Sequence, residues 1–239
     1  FEMVFQVAKK AGFMSDDHQA IHVNFGSVLD TDGKVLKSRE GDVIKLHDLL
    51  EEAIRRAEQT IDEKNPNLQA QERYEVARAV GIGAIKYADL STERTKDYVF
   101  DWERMLSFEG NTAPYLQYAH ARICSIFRKW GGDRESLREN FGSLMEEESS
   151  APTKEELTLA RRLVEFPSIL DDSASTFSPH KLCKHLHSIA SSFASFYENC
   201  SILNEEDAVI VRRRLALCDI TARELQLGLG GMGIIAPER

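Results

Sequence analysis

From about residue 68 to Arg239, apolar residues recur at helical spacing and no stretch reads as a strand. The spacing predicts helices at about 69–88, 94–106, 114–130, 133–147, 153–165, 179–199 and 205–229. Pro114, Pro152, Pro167 and Pro179 fall at or near element starts or between elements, where a missing N–H and a fixed φ cost little. A run of about 170 such residues with short connections and no repeat at a solenoid period predicts an α-helical bundle. The segment Glu146–Pro152 reads as a loop.

The first part reads differently. Residues 1–11 are predicted helical with Gly12 as the C-cap, and Ile21–Leu29 is rich in β-formers. Asp30-Thr31-Asp32-Gly33 makes a turn, and a helix begins near Leu46 and continues to Asn65-Pro66-Asn67. The fold class is therefore mainly α, with a small α/β portion over 1–66 and a helical domain over 67–239.

Bulk properties narrow the function classes. The 239 residues carry 42% hydrophobic and 29% charged residues, as in ordinary soluble globular proteins. No run is long and apolar enough to span a membrane, and Cys124, Cys183, Cys200 and Cys218 form no CxxC pair, which predicts reduced thiols in a cytoplasmic protein. A net charge of −9 excludes a generally basic nucleic-acid binder but leaves room for a local patch. Candidates are Arg122/Arg128/Lys129, Lys181/Lys184 and Arg212-Arg213-Arg214, each of which also reads as a solvated helix face. Phe1–Gly12 lacks an N-cap and an initiator Met, so the chain is expected to be a piece of something longer.

Several constellations suggest chemistry and fail on context. Gly228–Gly233 follows a helix rather than a strand, so it reads as a helix end and not a dinucleotide fingerprint. Cys183 and His187 stand at i, i+4 without a third ligand, and His18 and His22 lack partners, so no metal is expected. No nucleophile–base arrangement is readable.

Two segments hold more. Lys34, Lys37, Ser38 and Arg39 lie on a Gly-bounded loop between the β-rich segment and a helix. Such a loop serves either as a clamp on polyphosphate or as a solvated hairpin tip. Phe108–Ala113 is a polar loop leading into a helix that starts at Pro114 and presents Tyr115, Tyr118 and Arg122 at i, i+3 and i+7. Two rings and a guanidinium on one face suit either a packed interior or unstacked bases with a phosphate.

The phrase FEGNTAPYLQYAHAR, the later Phe193–Tyr197 and the closing LGLGGMGIIAPER resemble the helical anticodon-binding domain of arginyl-tRNA synthetases. FEMVFQVAKKAG and IHVNFGSVLDTDGKVLKSREGDVIKLHDLLEEA resemble the end of that family's class I catalytic core. The likeness spans essentially the whole chain. It implies, for the parent enzyme, arginine-tRNA ligase activity: ATP, L-arginine and tRNA(Arg) give arginyl-tRNA(Arg), AMP and diphosphate. ATP with Mg2+ would be a substrate, with no resident metal or prosthetic group, and the parent is expected to be a monomer.

By the same resemblance, Lys34–Ser38 matches the KMSKS signature loop, with Lys37 before Lys34 as the phosphate-binding lysine. A register shifted to Val35–Arg39 also fits, so Lys34, Lys37, Ser38 and Arg39 are the expected ATP-binding set. Phe108, Asn111, Tyr118, Arg122 and Tyr197 correspond to positions expected at the tRNA anticodon, with the tail after Pro237 near them and Tyr115 left to packing. The HIGH signature and the arginine-binding residues, upstream in the family, are not in this sequence, which predicts no adenylate formation by the chain alone. The rival reading is an acidic helical protein-interaction module that binds no RNA.

Overall fold

A computed structural model describes residues 1–35, 45–64, 66, 68–139 and 151–239. Among these, nine helices and two short strands follow in the order α1 (Glu2–Lys10), β1 (Val28–Leu29), α2 (Leu46–Lys64), α3 (Ala70–Ser91), β2 (Tyr98–Val99), α4 (Trp102–Met105), α5 (Ala113–Trp130), α6 (Arg134–Glu139), α7 (Lys154–Ser175), α8 (Pro179–Asn199) and α9 (Ala208–Gly231). The chain is mainly helical, as expected.

The core joins α5, α7, α8 and α9 with one face of α3. Leu116, Ile123, Leu159, Leu186, Ile189, Phe193, Phe196, Leu215, Leu225 and Leu229 are sealed within it. Each of these side chains removes enough apolar surface from water to stabilise by about 1.5–3 kcal/mol, before entropy is charged against it. A second, smaller core lies between α2 and α3, where Ala57 and Ile61 meet Ala77 and Val80. The two helices approach so closely that a Cβ on Gly81 would lie 2.6 Å from the carbonyl oxygen of Ala53. Gly228 of α9 makes room for a side chain of α8, since a Cβ there would lie 2.6 Å from Leu186 Cδ2. That close packing, with Met232 as C-cap and Gly233 at φ +68°, accounts for the glycine-rich end of α9 as a helix terminus.

Buried charge fastens the bundle. Glu156, 1% exposed at its side chain, ends a capping box with Thr153 and meets Arg214 at 3.0 Å and Arg213 at 3.3 Å. Arg214 also reaches Glu205 at 2.9 Å and the Ser201 carbonyl. Asp219 on α9 takes bonds from Arg134 at 2.7 Å and Arg138 at 2.8 Å, which holds α6 against the bundle. The patch Arg212-Arg213-Arg214 is thus no simple solvated face, since Arg214 is an internal strut.

Four expectations are corrected. Residues 94–106 are not one helix: Tyr98–Val99 pairs in parallel with Val28–Leu29, and only Trp102–Met105 is helical, started by Asp101, whose carboxylate accepts from the Glu103 and Arg104 N–H groups. The parallel partner decides the conformation there, because ladder bonds to β1 outweigh a weak local preference. The same pairing places a strand after residue 68, where none was expected. Of Ile21–Leu29 only the last two residues are strand, because β2 offers a partner only that long. Finally, α7 does not stop near residue 165 but continues through Pro167 to Ser175. An interior proline costs about 3 kcal/mol, and continued burial of Phe166 and Leu170 against the core offsets it. The rest of the helix expected over 133–147, and most of the loop at 146–152, lie outside the described residues.

Candidate nucleic-acid interface

The loop before α5 is built to hold a sharp entry. Gly110 adopts φ +78°, which favours glycine, and Thr112 caps the helix by accepting from the Tyr115 N–H at 3.3 Å. The same threonine hydroxyl donates to the Ser107 carbonyl at 2.6 Å, closing the loop on itself. Gly131 at φ +67° ends the helix. Phe108 is thereby held beside the first turns of α5, with its ring edge-on to Tyr118 at 6.2 Å.

Three of the expected residues converge further. The guanidinium carbon of Arg122 lies 4.6 Å from the ring centre of Tyr118 and 5.1 Å from that of Tyr197, which arrives from α8. Tyr118 and Tyr197 remain 45% and 39% exposed, so their rings are available to a ligand. Arg122 also donates to the Tyr118 hydroxyl at 2.6 Å. All four side chains line one open groove of about 620 Å³, whose apolar floor includes Ile61, Leu68, Val76 and Val80. Arg128, Pro237 and Arg239 complete its wall. Three arginines thus line one groove on a chain of net charge −9, with the Arg239 guanidinium paired to Glu72 at 3.1 Å.

Asn111 does not join this groove. Its Oδ1 accepts from the Tyr87 hydroxyl at 2.7 Å, in a contact that Tyr87 shares with the Cys183 carbonyl. Burial pushes the Tyr87 phenol far above its ordinary value, so it stays a neutral donor that ties the loop to α3 and α8. Tyr115 packs half-buried against the core with its ring 5.5 Å from His187, in keeping with a packing role. Cys183 is sealed against Met232, and burial pushes its thiol up to about 12, which suits a structural thiol better than a metal ligand.

Of the signature-loop set only Lys34 is described. It follows a tight turn in which Asp30 Oδ1 accepts from the Asp32 and Lys34 N–H groups at 3.0 and 2.8 Å. Gly33, at φ +76°, completes that turn, and Val35 then bridges back to Leu29. Lys37, Ser38 and Arg39 lie outside the described residues.

The sequence reading missed Gln117 and His120, both buried on α5 and both bonded to the C-terminal tail. Two polar residues at i, i+3 on an otherwise apolar helix face were the available signal. The apolar floor formed by Ile61 of α2, Leu68, and Val76 and Val80 of α3 was likewise not singled out from the sequence.

Residues 1–102 match the family of class I (R) tRNA synthetase catalytic domains, and residues 116–239 match the DALR anticodon binding domain. An arginine–tRNA ligase of Cellvibrio japonicus is 48% identical over 239 residues, covering 100% of this chain and 40% of that protein. The arginyl-tRNA synthetase structure of Thermus thermophilus superposes with a TM-score of 0.75 at 32% identity, over 91% of this chain and 35% of that one. That of Plasmodium falciparum gives 0.77 at 29% identity, over 100% and 39%. The chain spans about 40% of the length of the curated relatives it matches. With a DALR domain behind a class I (R) catalytic segment, and the grooved helical face just described, the chain belongs to the arginyl-tRNA synthetase family.

Proposed function

We propose that this chain supplies the anticodon-binding part of an arginine-tRNA ligase and binds the anticodon stem-loop of tRNA(Arg). The observation that carries this reading is the Phe108–Tyr118–Arg122–Tyr197 cluster, with two exposed rings flanking a guanidinium in a groove walled by Arg128 and Arg239. Rings of this kind stack on unpaired bases, and each stacked base contributes about 1–3 kcal/mol. Asn111 acts by fixing the loop through Tyr87 rather than by lining the groove.

In the whole ligase, the loop containing Lys34, Lys37, Ser38 and Arg39 binds the phosphates of ATP, carried with Mg2+, during arginine activation. Lys37 is our first choice for the phosphate contact. The HIGH signature does not occur in the 239 residues, so we infer that this chain alone binds tRNA without forming adenylate. We place the division between the catalytic and anticodon-binding parts at residue 66, where α2 has ended and α3 has not begun. A cytoplasmic, monomeric parent completes the reading.

The test is fluorescence anisotropy with an RNA hairpin bearing the arginine anticodon loop, against the same hairpin with altered anticodon bases. We expect a preference of about tenfold or more for the arginine loop, as base-edge contacts require. Affinity should also fall steeply between about 50 and 200 mM salt as counterions are released. Equal affinity for the two hairpins would sink the anticodon reading, and salt-independent capture of a protein helix would favour the interaction module.

A further inference from the structure

After Gly231 a turn whose Gly233 and Ile234 N–H groups donate to the Gly230 and Leu229 carbonyls at 2.9 Å ends α9, and the chain then runs to Arg239 without helix or strand. Side chains of α3 and α5 set its course from there, by capturing its carbonyls. Lys86 Nζ takes the Gly233 oxygen at 2.5 Å, Gln117 Nε2 takes Ile235 at 2.7 Å, His120 Nδ1 takes Pro237 at 2.9 Å and Arg128 takes Glu238 at 2.9 Å.

Gln117 stands apart among these donors. It is only 1% exposed, and the same nitrogen also donates to the Ala79 carbonyl on α3 at 3.1 Å. Both hydrogens of Nε2 are thus committed to carbonyl oxygens, which fixes the orientation of the amide. Its Oε1 is buried and has no hydrogen-bond partner among the described residues. An apolar residue of the same size would make neither bond and would leave the Ile235 carbonyl without its donor. The surroundings are shaped for the amide. A Cβ on Gly83 would lie 3.0 Å from Nε2 and 3.1 Å from Ile234 Cγ2, so the missing side chain at Gly83 makes room for the amide and the tail together.

We propose that Gln117 is a positioning residue for RNA binding: by locking the tail to α3 and α5, it sets Pro237 and Arg239 as a wall of the groove that holds Tyr118 and Arg122. This rests on the anticodon-binding reading above. Gln117 acts through the tail, which supplies the contact surface.

The test uses the full 239-residue chain, a Gln117→Met variant, a chain ending at Ile235, and the combination of the two. The probe is the labelled arginine anticodon hairpin, with hydrogen exchange of the tail amides read in parallel. We expect Gln117→Met to weaken binding about tenfold, the truncation to do the same, and the combination to do no more than either. Tail amides should exchange faster in Gln117→Met while α8 and α9 keep their protection. Gly83→Ala provides a second route: alanine favours helix, yet its methyl crowds the amide, so the tail should loosen in a chain that stays folded. Additive losses would mean that Gln117 acts on the RNA itself, and full affinity with a loosened tail would mean that tail position is irrelevant. Either result overturns the proposal. Failure of the unaltered chain to bind any hairpin would instead refute the anticodon reading on which it rests.

Discussion

The Arg122 guanidinium sits 4.6 Å from the Tyr118 ring centre and donates to that residue's hydroxyl at 2.6 Å. Its planar cation also faces Tyr197 at 5.1 Å, so one side chain from α5 organises a ring of its own helix and a ring of α8. Stacking of this kind depends on the flat, delocalised shape of arginine as well as on its charge.

Replacing Arg122 therefore separates shape from charge. Arg122→Lys should weaken hairpin binding by about tenfold while keeping the salt slope, because the charge survives and the plane does not. Arg122→Ala should lose at least as much and lower the salt slope by about one. Anisotropy titrations at three salt concentrations read both quantities, and a lysine variant with full affinity would remove the stacking role.

A second expectation concerns Glu156. Burial raises this carboxyl, but the Thr153 backbone bond and the guanidiniums of Arg214 and Arg213 outweigh it and hold the group below its ordinary value. Its folded pKa is thus depressed, so its stabilisation is complete above the ordinary glutamate value and is lost as pH falls through the folded one. Glu156→Gln retains a helix-capping oxygen but removes the charge between Arg213 and Arg214, and because Arg214 keeps Glu205 and the Ser201 carbonyl it should cost about 1–3 kcal/mol at pH 7. Urea unfolding at pH 7 and pH 3 measures this, with a smaller penalty expected at pH 3.

Glu224 on α9 behaves in the opposite sense. Burial pushes its carboxyl up to about 7, against a weaker pull from Arg223, and its Oε2 has no hydrogen-bond partner among the described residues. A raised folded pKa means the protonated form is favoured in the fold, and that benefit disappears as pH rises through about 7. Glu224→Gln should raise Tm by about 2–4 °C at pH 8.5 and change it little at pH 5. Equal shifts at the two pH values would contradict the titration.

The contact of Gly81 with Ala53 gives a steric prediction. Alanine at Gly81 gains helix propensity of about 1 kcal/mol. Its methyl, however, would meet the Ala53 carbonyl oxygen at 2.6 Å, which forces α2 away from α3. Overpacking at a rigid backbone contact costs about 1–3 kcal/mol, so Gly81→Ala should be net destabilising. Because Ile61 from α2 and Val80 from α3 floor the groove, hairpin affinity should fall with it.

Much of this protein could be read from local pattern. The helix at 179–199 and the start of α5 follow from residues within a few positions of each other: periodic apolar side chains and a proline near the start in both, and the Thr112 hydroxyl as cap in α5. Tyr118 and Arg122 could be grouped by their spacing on one helix, whereas Phe108 joined them only through the family resemblance of its loop. Tertiary structure decided the rest. Tyr98–Val99 became a strand because Val28–Leu29 lay alongside it, and α7 continued through Pro167 because the core held both sides. Tyr197 reached Arg122 only when α8 packed on α5. The tail became a wall because Gln117 meets Ile235, 118 residues away in sequence. Periodicity and caps act over one or two turns and are written in neighbouring residues, whereas these contacts exist only after distant elements have buried their apolar faces together.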